Sequence, residues 1–129
     1  MNSYRKGQVG KKRIRDWYRS QGYESEYVEK LQAIFTKQGM IFKKEDLFES
    51  DGISMNRKEI VFWNAKSSTS AMMSDLHKFR KHQFPECVVR EICVWEPYKK
   101  NPHRLRVKNR QITMYGTDNK PKNIARYED

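Results

Sequence analysis

A chain of 129 residues points to one domain with a modest core. Its 27 lysines and arginines against 16 acids leave a net charge of +11, which favours a polyanionic partner because phosphate binding releases counterions. The apolar runs 60-IVFW-63 and 87-CVVREICVW-95 exclude wholesale disorder, and no stretch reads as a bilayer span or a signal peptide.

Residues 1–10 are basic and glycine-containing and are expected to be loose. From Lys11 to Gln21 the spacing predicts a helix. Ile14, Trp17 and Tyr18 form its apolar stripe, Lys12, Arg13, Arg15 and Arg19 lie opposite, and Gly22 is the C-cap. A strand is expected near 23–29, followed by less regular chain with a turn at Gly39. Residues 51–55 and 59–66 read as paired strands joined by Asn56-Arg57-Lys58.

A helix is expected over 68–83. Ser68 or Thr69 caps it, Met72, Leu76 and Phe79 face inward, and Pro85 stops it. Residues 87–95 read as a strong strand. Residues 103–116 read as a hairpin turning at Asn109-Arg110, and 117–129 are expected to be loose. The order suggests an α/β layered domain on a mixed sheet with a C-terminal β-hairpin. Cys87 and Cys93 on one strand would lie about 20 Å apart, too far for a disulfide, and read as two buried thiols.

Side chains alternate along a strand, so Ile60, Phe62, Asn64 and Lys66 share one face. A hairpin with Met55 opposite Ile60 sets Asp51 opposite Asn64, and a slip of one residue sets it beside Trp63. In the first register Asp51, Asn64 and Lys66 converge at one sheet end. Hard oxygen ligands beside a lysine suit Mg²⁺-assisted attack of water on a phosphate, with the lysine orienting or deprotonating that water. Ser67 and Ser68 would contact phosphate from the following helix N-terminus. A strand simply ending in polar residues at the surface is the plain alternative.

The basic helix with 22-GY-23, the pieces 46-DLF-48 and 51-DGI-53, and 61-VFWNAKSS-68 with the helix and strand after it resemble the PD-(D/E)XK nucleases. The likeness is nearest to the archaeal Holliday junction resolvases and their viral and phage relatives, and it covers most of residues 10–96. It implies a restriction-endonuclease-like mixed central sheet flanked by helices. It also implies a homodimeric, Mg²⁺-dependent DNA endonuclease (with Mn²⁺ as a substitute), active on branched DNA in a prokaryotic, archaeal or virus-infected cytoplasm. Carried over by position, Asp51 is the metal-binding aspartate, Asn64 occupies the acidic position and Lys66 is the motif lysine. Two positions depart from the pattern. Asn64 brings no charge, and no glutamate lies between Lys11 and Gln21, so Glu24, Glu26 or Asp46 would have to complete the metal set.

Three basic groups are candidate DNA contacts: Lys11, Lys12, Arg13, Arg15 and Arg19; Lys78, Arg80 and Lys81; and a segment holding Lys99, Lys100, Arg104, Arg106, Lys108 and Arg110. The last three arginines suit either a DNA-gripping ribbon or a charge-protected sheet edge. The alternatives to an endonuclease are a degenerate nucleic-acid-binding module of the same fold and a small basic RNA-binding protein.

Overall fold

The computed structural model describes the backbone of residues 3–126, and the side chains of residues 7–28, 37–40 and 48–122. In chain order the elements are α1 (Ser3–Ser20), β1 (Glu24–Tyr27), β2 (Glu29–Thr36), β3 (Gly39–Asp46), β4 (Gly52–Met55), β5 (Ile60–Lys66), α2 (Met72–Arg80), β6 (Val89–Val94), β7 (His103–Lys108), β8 (Gln111–Tyr115) and β9 (Pro121–Arg126). Seven strands form one sheet in the order β1-β4-β5-β6-β7-β8-β9, and β2 and β3 pair separately. The β5–β6 pair is parallel and the other pairs are antiparallel, so the sheet is mixed, as expected.

The two helices cover opposite faces. Ile14, Trp17 and Tyr18 of α1 pack on Val61, Trp63, Val89 and Cys93. Met72, Leu76 and Phe79 of α2 pack on Ile92, Val94, Leu105 and Val107. Strand β6 lies between them with all six residues buried, four of them apolar and the other two, Arg90 and Glu91, charged.

α1 ends as the sequence requires. Gly22 adopts φ 91°, its amide donates to Arg19 O, and the Tyr23 amide reaches back to Tyr18 O. This is a Schellman cap, and the accompanying Tyr18–Tyr23 ring contact has centroids 5.5 Å apart. Three expectations are corrected. Residues from Ser3 onward belong to α1 rather than to a loose terminus. The chain after β1 is a hairpin turning at Lys37-Gln38, with Phe35 opposite Met40. Pro121–Arg126 adds a strand beside β8, where pairing along a neighbour outweighs the polar composition.

The C-terminal hairpin forms as expected, with Asn109 and Arg110 both left-handed at its turn (φ 49° and 64°). Cys87 is exposed, not buried, because β6 begins only at Val89. Cys93 is buried and both thiols are free.

Candidate functional site

Strand β4 brings Asp51 to the end of β5. Met55 pairs with Ile60 and Gly52 with Trp63, which is the register that sets Asp51 opposite Asn64. Gly52 is required there: a Cβ would stand 2.0 Å from Cζ2 of Trp63. The Trp63 indole thus lies across the Gly52 backbone and fixes the hairpin next to the site.

Asp51 is tied down on all sides. Its amide donates to Trp63 O and to Asn64 Oδ1, both at 3.0 Å. Its Oδ2 accepts the Ala65 amide at 2.9 Å, and Lys11 Nζ of α1 stands 3.4 Å from Oδ1. Asn64 is 2% exposed and spans a gap: its Nδ2 donates to Asp75 Oδ2 of α2 at 3.0 Å. Asp75 Oδ1 in turn receives Lys66 Nζ and Lys78 Nζ, each at 3.1 Å. The three expected residues therefore meet at one sheet end through a chain running Asp51–Asn64–Asp75–Lys66.

Sequence reasoning missed Asp75. Its sign was legible: it lies between Met72 and Phe79 at the spacing of the buried stripe, where an acid needs partners. Burial alone would raise its pKa, but the hydrogen bonds from Asn64, Lys66 and Lys78 outweigh burial and hold it below the ordinary aspartate value. Lys78 is raised: burial opposes its charge, but Asp75 more than compensates.

Beside this chain, at the carboxyl ends of the parallel strands β5 and β6, lies a cleft of about 240 Å³. Gly7, Gly10, Arg13 and Ile14 of α1 form one wall, and Lys66, Ser67 and Trp95 line the other side. Crevices at such strand ends are the usual ligand positions of open α/β sheets.

The other candidates divide. Arg13 and Ser67 are exposed at the cleft. Ser68 is exposed and bonds Ser70 at 3.0 Å instead of capping the helix. Lys12 pairs with Asp16 at 2.7 Å, Arg15 lies 4.7 Å over the Tyr27 ring, and Lys81 stands 3.4 Å from Glu49. Arg80 contacts His77 at 3.4 Å. Glu26 lies on β1 opposite Ile53, bonds Arg19, and lines a separate hollow with Tyr23 and Met55. It is not brought to Asp51. Glu24 is exposed in that same hollow. Asp46 closes β3 opposite Glu29, and its side chain lies outside the described residues.

The ribbon of arginines is corrected. Arg104 and Arg106 both donate to Glu91 Oε2, at 2.8 and 3.0 Å, and Arg106 also grips Glu59. Glu91 is fully buried and takes the Tyr18 hydroxyl on its other oxygen. These guanidiniums neutralise acids inside the α1 face and are not presented to a phosphate. Arg110 is exposed and pairs with Glu86 at 2.6 Å.

A resident dication would have few protein ligands here. The described side chains contain no cluster of three or more His, Cys, Asp or Glu suited to a metal. The Asn64 amide oxygen and Asp51 Oδ2 already accept backbone amides, so of the three expected residues Asp51 Oδ1, which faces Lys11, is the oxygen best placed for an ion. One hard carboxylate oxygen fits a Mg²⁺ ion held chiefly by water and by a substrate phosphate.

No family model matches this chain, and no curated protein or solved structure matches it. Among the described residues no helix is long and apolar enough to cross a membrane.

Proposed function

We propose that this domain binds the backbone of DNA and hydrolyses a phosphodiester bond with Mg²⁺, on a restriction-endonuclease-like fold. The observation that carries the reading is the meeting of Asp51 and Lys66, through Asn64 and Asp75, beside a cleft with a cationic wall. Asp51 would hold the ion through Oδ1, and Asp46 is the further ligand that the resemblance suggests. The ion, when bound, would offset charge developing on the phosphate and favour a hydroxide.

The chain's own groups do the rest. Lys66 and Arg13 neutralise the phosphate, Ser67 offers a hydroxyl to its oxygens, and the Trp95 side of the cleft limits water. Lys11 stands 3.4 Å from Asp51 Oδ1 and adds positive charge on α1 beside the site. Branched DNA and a homodimeric assembly follow from the resolvase resemblance and belong to the same proposal.

The deciding assay incubates four-way junction, flapped and plain duplex DNA with Mg²⁺ or Mn²⁺. Cleavage that disappears in both Asp51→Ala and Lys66→Ala supports the reading, and cleavage that survives both sinks it. A second reading, a nucleic-acid-binding module without cleavage, is favoured by the engagement of both Asn64 polar atoms. Tight, salt-sensitive DNA binding with no cleavage of any of the three substrates would select it.

A further inference from the structure

We propose that Asp75 is a positioning residue that anchors Lys66 and Lys78 as a paired cation for one phosphate group, making Lys66 a fixed positive charge and not a base. The phosphate belongs to the phosphodiester reading above, whereas the clamp itself stands on its own geometry.

Asp75 is 4% exposed, and both of its oxygens are used. Oδ2 takes Asn64, and Oδ1 takes two ammonium groups at 3.1 Å each. A carboxylate this buried requires compensation. Two lysines over-supply it, so the cluster carries a net positive charge facing outward. Lys66 is 29% and Lys78 42% exposed, so the surplus reaches solvent. Each ammonium has three donors and directs one at Asp75, which leaves others for an incoming anion.

Two nitrogens bound to the same carboxylate oxygen are near neighbours, and the non-bridging oxygens of one phosphate can receive both. The carboxylate also removes rotamer freedom from two long side chains before the ligand arrives. Lys78 follows Asp75 by three positions on α2 and lies on the same helical face. Asp75 itself sits in the first turn, where the helix dipole favours its charge. A base role for Lys66 would require it to give up its proton, which would strip the buried carboxylate of one of its two cations.

The test labels the lysines of the folded protein with acetic anhydride and reads each site by mass spectrometry. In the wild type, Lys66 and Lys78 react several-fold more slowly than Lys58, and inorganic pyrophosphate slows both further. In Asp75→Asn both approach the Lys58 rate and the pyrophosphate effect is lost. In Lys78→Met, Lys66 remains slow, so this arm decides the matter if the first variant fails to fold. Unchanged labelling of Lys66 in folded Asp75→Asn, release of Lys66 in Lys78→Met, or indifference of the wild type to pyrophosphate overturns the clamp.

A kinetic arm separates positioning from mere folding. Asp75→Asn lowers the single-turnover cleavage rate about a hundredfold, the scale of one electrostatic contact, with little change in DNA affinity. Asp75→Glu recovers part of this, and Asp75→Asn with Lys78→Met loses less than the product of the two single losses. Losses that multiply in the double variant would sink the coupling. Absence of cleavage in the wild type would remove the phosphodiester reading, while the labelling still decides the clamp.

Discussion

Asn64 and Asp75 share a hydrogen bond of 3.0 Å between the end of β5 and the first turn of α2, with the amide as donor. This one bond gives the amide at position 64 a structural reason, because Asp75 needs a donor there. A carboxylate at position 64 would face Asp75, which is 4% exposed. Asn64→Asp is therefore expected to destabilise the fold by about 2–4 kcal/mol at neutral pH, from a lost donor and a like-charge pair. The midpoint of thermal unfolding should fall by roughly 10 °C and recover partly in acid, where one of the two acids takes a proton. Mg²⁺ affinity, measured by calorimetry, should rise because a charged ligand then stands beside Asp51. A variant as stable as the wild type at neutral pH would show that the Asn64–Asp75 bond does not govern the position.

The pH dependence of stability follows from Asp75 itself. Its folded-state pKa lies below the unfolded value, so near and below pH 4 the native state binds fewer protons than the unfolded chain. The stabilisation is fully present above the unfolded pKa and is lost as pH falls through the folded one. Urea midpoints measured between pH 3 and pH 7 should decline at the acid end, and the decline should be shallower in Asp75→Asn. Glu59, also lowered because the Arg106 hydrogen bond overcomes its burial, adds to the same acid loss and sets the slope that remains in the variant. Equal slopes in the two proteins would remove Asp75 from the account.

The sheet and the site were legible to different depths. The β4–β5 hairpin could be read because alternation and a short polar tip fix its register, and Asn56 closes that tip by accepting the Lys58 and Glu59 amides at 2.9 Å. The β2–β3 hairpin was obscured because Leu31, Ile34 and Phe35 mimic helical spacing, and only pairing with 39–46 decides between the two. Lys66 and Asp51 were placed by strand periodicity. Asp75 showed a need for partners by its place on the buried stripe, but two of those partners, Asn64 and Lys66, come from another element, and no local pattern states that a helical aspartate lies under a strand end. The arginines of β7 misled for the same reason: alternating Arg104 and Arg106 look like a solvent face until Glu91 is found opposite Arg106 on β6.

Gly52→Ala should be costly for a residue so small. A Cβ there meets Trp63 Cζ2 at 2.0 Å, and Trp63 is fully buried against Tyr18 and Tyr27. Overpacking of this kind costs about 1–3 kcal/mol. Because the displaced indole borders the turn that carries Asp51, cleavage should fall more than stability alone explains. Circular dichroism in the aromatic region, together with cleavage rates at a temperature where the variant is fully folded, checks both parts. Wild-type spectra and rates would mean that the indole has room to move.

Arg106→Ala and Arg13→Ala should separate stability from DNA contact. Arg106 is 13% exposed and is bound by Glu59 and Glu91, so its loss leaves buried carboxylates short of a partner at a cost of about 3–5 kcal/mol. Arg13 is exposed on α1 at the cleft, so its removal should cost less than about 0.5 kcal/mol. DNA affinity should behave in the opposite way. Arg13→Ala weakens binding and reduces the slope of log affinity against log salt by about 1, the release expected for one phosphate contact. Arg106→Ala, assayed where it is folded, leaves that slope unchanged. Equilibrium denaturation and binding titrations at several salt concentrations give both quantities for both variants. A reduced slope in Arg106→Ala would return the β7 arginines to the DNA interface, because a guanidinium held between Glu59 and Glu91 has no counterions to release.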